Sequence, residues 1–296
     1  MGAKLRIVRR RIRSVQSTMK ITRAMELIAA SRIVKAQQRV IAARPYADLL
    51  TQAMEDVARQ TGSIVHPLLE EREAPTRTGV LVMTSDRGLA GSFNANLLKR
   101  AEHVVRGVRG RGLEPVLYVT GKKAIGYFRF RGVATEASWS GFSEVPTYAP
   151  AEEIGRRLIG DFGAGRIDEL QTVYTDFRSA FTFRATDKRF LPIAPEEVGG
   201  NTEGVPRAEY IFEPEPAEIL DDLLPQYVIT KIYFALLESA ASENAARQRA
   251  MAAATDNADE LIKVLTRQAN RARQDEITTE IMEIVGGAEA LAQSGV

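Results

Sequence analysis

The sequence predicts an α/β insert, a Rossmann-like three-layer domain, carried on a long antiparallel coiled coil of the N- and C-terminal helices. Three observations predict it. All twelve prolines of the 296 residues lie between Pro45 and Pro225, so both flanks are free of them. Apolar residues in the flanks step by three and four. Between the flanks, short apolar runs alternate with amphipathic stretches.

An interior proline costs a helix about 3 kcal/mol, so long proline-free flanks are candidates for long helices. Leu5, Val8, Ile12, Val15 and Met19 step by 3, 4, 3, 4, the seam of a left-handed coiled coil. The seam is then expected to drift onto Ile21, Met25, Ile28, Ile33 and Val40. In the last segment Ala254, Ala258, Leu261 and Leu265 keep the spacing, and after a break it resumes at Ile277, Ile281, Ile284, Ala288 and Leu291. The insert brings the chain back to where it left the first helix, so the two helices are expected to pair antiparallel. The expected divisions are 1–60 for the first helix, 61–215 for the insert and 216–296 for the last helix.

The insert reads as alternating strands and helices. GVLVMTS (79–85), PVLYVT (115–120) and VATEASW (133–139) are strands, and 93–109, 121–132 and 151–165 are helices. LQTVYTDF (170–177), 181–193 and 209–214 read as further strands, and 194–208 as a polar loop. A βαβαβα start implies a largely parallel sheet with right-handed crossovers.

Composition removes several classes of chemistry. There is no cysteine, which excludes disulfides, Cys-ligated metals and thiol nucleophiles, and only two histidines, His66 and His103. No apolar run reaches the ~18–20 residues of a membrane span, and the N-terminus lacks the apolar core of a secretory signal. The net charge of +2 hides an asymmetry: residues 1–44 hold twelve Lys and Arg against the single acid Glu26, a net of +11. The last 71 residues carry seven bases against ten acids, a net of −3.

The first βα turn, TSDRGLAGSFN (84–94), stands where doubly wound sheets bind ligands, yet it matches neither GxGxxG nor GxxxxGK[ST]. It reads as a tight turn in which Asp86 caps backbone amides and glycines take positive φ. Adjacent acids such as Glu152/Glu153 and Asp221/Asp222 point different ways on a helix and form no acid–base pair. Trp139 reads as a core residue of the insert. No catalytic, cofactor-binding or metal-ligating constellation emerges. The basic run KLRIVRRRIR (4–13) leaves a nucleic-acid-binding coiled-coil adaptor as the alternative function, although no aromatic is present to stack on bases.

Several stretches resemble the gamma subunit of F-type ATP synthases. RRRIRSVQSTMKITRAMELIAASRIVKAQ (9–37) resembles that family's opening helix, SDRGLAGSFN (85–94) its first insert turn, and residues 242–291 its closing helix. The last carries Ile277, Thr278, Glu280, Glu283, Gly287, Ala288 and Ala290 in the family's spacing; Ala90 departs from the Cys common after DRGL. The resemblance implies a central rotor shaft without a catalytic site or cofactor of its own. Its coil would stand in the bore of a hexamer of alpha and beta subunits, and its insert would hold the epsilon subunit and the membrane c-ring. Proton flow would turn the shaft, and nucleotide affinity at the beta sites would follow its angle. The resemblance also implies partner contacts at Arg273 and Gln274 (a catch on beta) and at Met25, beside an acidic beta lever that Arg9, Arg13, Lys20 and Arg23 would face. No nucleic acid is implied. The membrane would be met only through the c-ring, placing the chain peripherally on the cytoplasmic side of the cell membrane.

Overall fold

The computed structural model describes residues 3–61, 66–179, 182–194, 197 and 216–294. The expected strand at 209–214 and nearly all of the expected loop at 194–208 lie outside the described residues. The chain divides into two compact units, Met1–Ile28 with Gln248–Val296, and Ala29–Arg247. Helix α1 is Ala3–Thr61 and helix α5 is Pro216–Ser294. Pro45 and Pro225 therefore lie inside helices.

In the first unit the two helices form a coiled coil. On α1 the buried and half-buried positions include Leu5, Val8, Ile12, Val15, Met19, Thr22 and Glu26; on α5 they include Met251, Thr255, Ala258, Ile262, Leu265, Ala269 and Ala272. Both series alternate threes and fours, as a coiled-coil seam requires. The hydroxyls of Thr22 and Thr255 bond across the seam at 2.8 Å. From that bond α1 is buried back to Leu5 while α5 is buried forward to Ala272, so the helices run antiparallel.

Of the positions expected after Met19, Ile33 is buried and Met25 and Val40 are half-buried, whereas Ile21 and Ile28 are 58% and 52% exposed, because the seam keeps its phase through the polar Thr22 and Glu26. On α5 the seam likewise passes through Thr255 and Ile262, leaving Leu261 at the surface. In this register Gln274 stands opposite Ala3, the first described residue of α1. The second predicted seam lies past that point, with Ile277, Ile281 and Ile284 at 45%, 54% and 72% exposure.

The second unit holds strands β1 (Arg77–Met83), β2 (Glu114–Thr120), β3 (Ala137–Trp139), β4 (Glu169–Phe177) and β5 (Phe183–Leu191). Their order is β3-β2-β1-β4-β5, all parallel except β5, which pairs antiparallel with β4. Helices α2 (Phe93–Gly110), α3 (Lys122–Phe130) and α4 (Tyr148–Gly163) connect the parallel strands. The chain steps outward through α2 and α3, then returns through α4 to the other side of β1, which makes the sheet doubly wound.

Alternation along β1 splits the core in two. Val80 and Val82 face a cluster with Phe93, Leu97, Ala101 and Val104 of α2 and Ala124 and Phe128 of α3. Leu81 and Met83 face the other cluster, with Ile154, Leu158 and Phe162 of α4, Met54 and Val57 of α1, and Leu224, Val228, Ile232 and Leu236 of α5. The insert's second face is thus closed by the ends of the two long helices. Gly155 permits this, since a Cβ there would lie 2.6 Å from Cγ1 of Ile229. Trp139 packs half-buried against this cluster and donates its indole N–H to Glu153 at 3.0 Å.

Candidate functional site

The switch point of the sheet lies between β1 and β4, where a doubly wound domain ordinarily receives its ligand. Here the turn after β1 is tied down by its own side chains. Thr84 Oγ1 donates to the Thr120 carbonyl and accepts from the Ala124 amide, both at 2.9 Å. The Ser85 amide donates to Asn94 Oδ1 at 3.0 Å. Asp86 accepts three backbone amides, from Gly141 at 2.8 Å, Ser143 at 3.1 Å and Lys122 at 3.2 Å. The amide-capping role read from the sequence is present, with the 141–143 turn as its main object. Positive φ falls on Leu89 (60°) and Gly91 (54°) and not on Gly88. Gly121, at φ 88°, crosses so close to β1 that a Cβ would meet the Thr84 carbonyl oxygen at 2.2 Å.

By fixing the 141–143 turn, Asp86 sets the position of Glu144, the hub of an ion network. Glu144 forms salt bridges with Arg32 of α1 at 2.6 Å, Arg87 of the turn at 3.4 Å and Arg247 of α5 at 3.6 Å. Arg247 is 4% exposed; it also binds Glu243 at 2.5 Å and the Gly88 carbonyl at 3.3 Å. Burial pushes the Glu243 carboxyl up from its ordinary value, and the Arg247 guanidinium works against that shift. Residues Arg32, Arg87, Glu144, Glu243 and Arg247 therefore bind the first βα turn to both long helices. Their chemistry is that of a strut, in which every charged group faces an opposite charge. Sequence reasoning passed over this network. Its signal was the Glu243–Arg247 pair, four residues apart in an alanine-rich run with no other charge between Glu238 and Arg249.

The sequence-predicted contact residues all lie in the coiled-coil unit. Met25 and Arg9 are half-buried; Arg13, Lys20 and Arg23 are exposed, and Arg23 pairs with Glu26 at 3.0 Å. Arg273 and Gln274 are exposed, directly after the last buried seam residue, Ala272. The antiparallel register separates Met25 from Arg273 by roughly twenty residues of coil, about 30 Å at 1.5 Å per residue. They form two separate groups and not one site.

Of the two histidines, His66 is half-buried. Its Nδ1 accepts the Leu68 amide at 3.0 Å and its Nε2 lies 3.3 Å from Asp221 on α5. Burial lowers its pKa from 6.5, holding the imidazole neutral. His103 is exposed on α2. Asp161, fully buried, accepts the Tyr118 hydroxyl at 2.6 Å and the Nε of Arg157 and of Arg166 at 2.9 and 2.7 Å. These bonds outweigh burial and hold its pKa below the usual carboxylate value. Among the described residues no cluster of acids and histidines is placed to hold a metal, and no helix is long and apolar enough to cross a membrane.

The described residues thus form a doubly wound α/β unit whose first βα turn is held by an ion network, and a unit in which the two terminal helices pair as an antiparallel coil. A family model described as ATP synthase matches residues 4–291. An ATP synthase gamma chain of Acidothermus cellulolyticus is 54% identical, covering 100% of this chain and 99% of the relative. One of Mycolicibacterium smegmatis is 53% identical, covering 99% and 100%. The chain belongs to the family of ATP synthase gamma chains. Among solved structures, a chain of the Euglena gracilis mitochondrial ATP synthase (OSCP/F1/c-ring) is similar in fold, with a TM-score of 0.67, 16% identity, and coverage of 100% of this chain and 97% of that one. A chain of the Tetrahymena thermophila central stalk and c-ring gives a TM-score of 0.58 at 24% identity, with coverage of 79% and 99%. Nothing in the site or the relatives favours the nucleic-acid alternative.

Proposed function

We propose that this chain is the non-catalytic central-stalk rotor subunit of a proton-translocating F-type ATP synthase. The observation that carries the reading is the antiparallel coil with α5 extending past the described residues of α1, where Ile277, Ile281, Ile284 and Val285 are exposed. A helix with such a face finds its stability in a surrounding protein. The bore of an alpha–beta hexamer supplies one, and the insert, with its own two-sided core, is the part that holds epsilon and the c-ring. The chain would then be peripheral to the cell membrane, on the cytoplasmic side, through the c-ring alone.

In this reading, rotation acts by differential contact. A shaft shifts a beta site only if it binds that site's conformations unequally. Arg273 and Gln274 offer a rigid guanidinium fork and an amide to one beta conformation at a time, and Met25 with Arg9, Arg13, Lys20 and Arg23 faces the acidic lever. Co-expression with alpha and beta subunits from a close relative tests the reading: a stable ATP-hydrolysing assembly containing this chain is the expected result. Recovery of alpha and beta without it would contradict the reading.

A further inference from the structure

The insert has a basic pocket of about 500 Å³ outside the strut, between α2 and the β4–β5 pair. We propose that this pocket is a binding site for a soluble polyphosphate anion of nucleotide size. Its cations are Lys99, Arg100 and Arg106 of α2 and Arg184 of β5, with His103 among them, and none of the lining residues is acidic. The nearest carboxylates already have arginine partners: Asp187 binds Arg100, and Asp176 lies 3.3 Å from Arg178. Glu102, on the neighbouring face of α2, is bound by Arg131 and by the Tyr127 hydroxyl. Lys99 and Arg184 form no salt bridge among the described residues.

A second observation points the same way. Thr175, 2% exposed, lines the pocket from β4, and its buried hydroxyl has no hydrogen-bond partner among the described residues. Buried hydroxyls in folded proteins are nearly always satisfied, so one left over in the wall of a cationic pocket marks a place for an oxygen acceptor.

Size selects the ligand. The pocket falls within the ~300–1,000 Å³ range typical of small-molecule sites. Its polar lining on α2 runs from Asn96 to Arg106, about 15 Å of helix. A single orthophosphate would meet one or two of these cations; a chain of phosphates meets them together. Phe183, half-buried and packed against the α2–α3 cluster, also lines the pocket. Guanidinium groups suit phosphate oxygens because their donors are paired and planar.

The test is calorimetric titration of the full chain with tripolyphosphate, ATP and orthophosphate, together with sedimentation against phosphatidylglycerol vesicles. One saturable site for tripolyphosphate and ATP is expected, weakening as salt rises, with orthophosphate much weaker. Lys99→Gln with Arg184→Gln should raise Kd at least tenfold while the exposed control Arg129→Gln leaves it unchanged. Thr175→Val, which keeps the side-chain shape, should weaken binding several-fold without lowering the melting temperature. Equal affinity in the pocket variant and the control would overturn the proposal. So would an absence of saturable binding at millimolar ligand, or binding to vesicles with none to soluble polyphosphate.

Discussion

Replacing Arg247 by Met removes the guanidinium that joins Glu243, Glu144 and the Gly88 carbonyl while keeping a long apolar stem in its place. Glu144 retains Arg32 and Arg87. Glu243, 1% exposed, is left as a buried carboxylate without its cation. Removing one member of a buried pair costs about 3–5 kcal/mol, because the remaining charge stays desolvated. In a unit of this size 1 kcal/mol moves Tm by about 2–4 °C, so a drop of roughly 6–20 °C is expected. The loss should shrink at low pH. Glu243 already titrates above its ordinary value, and protonation removes the uncompensated charge. Arg247→Met with Glu243→Leu should recover most of the loss, since no buried charge remains. The assay is thermal and urea unfolding of parent, single and double variants at pH 5 and 8. A single variant within 1 kcal/mol of the parent at pH 8, or a double variant no better than the single, would refute the reasoning.

Three further outcomes follow from the same structure. Glu238 has a buried carboxylate oxygen with no partner among the described residues, and burial near Asp176 lifts its pKa from 4.5 to about 7. A folded value above the unfolded one means its stability contribution is full below pH 4.5 and is lost as pH rises through 7, about 3 kcal/mol in all; Glu238→Gln should flatten unfolding stability over that window. A fragment of 29–247 should unfold cooperatively, whereas 45–225 should not, because Val228, Ile232 and Leu236 complete the core; equal melting transitions by circular dichroism would count against this. Arg273→Ala with Gln274→Ala should leave helicity unchanged yet lower ATP turnover of the reconstituted hexamer at least tenfold, and parent-like turnover would exclude the catch role.

The alternation of the insert was readable because each strand carries its own apolar run and each helix its own amphipathic face. β1, β2, β4, α2 and α4 fall within a few residues of their expected limits. β3 is shorter than expected, three residues against seven, since only 137–139 reaches its partner β2. The first half of the α1 seam was legible for the same reason, through Leu5 to Met19. It stopped being legible at Thr22, where a polar residue holds a seam position through the hydroxyl of Thr255, a contact 233 residues away that no local pattern carries. The Glu144 network was hidden for a related reason. Arg32, Arg87, Glu144 and Arg247 are scattered over the chain and meet only when both long helices close on the sheet. Arg273 and Gln274 came from the resemblance, and their exposure beside Ala272 leaves them available to a partner without identifying it.

The central claim is that this chain turns inside a hexamer whose catalysis lies elsewhere. Its lack of cysteine makes one attachment point possible: Arg109→Cys, exposed near the end of α2, takes a single bead or gold rod. With the hexamer fixed to a surface and ATP supplied, the account predicts rotation in one direction, with three dwells per turn, slowing as ATP is withdrawn. ATP hydrolysis by the same molecules with a probe that stays still, or that swings without direction, would contradict it.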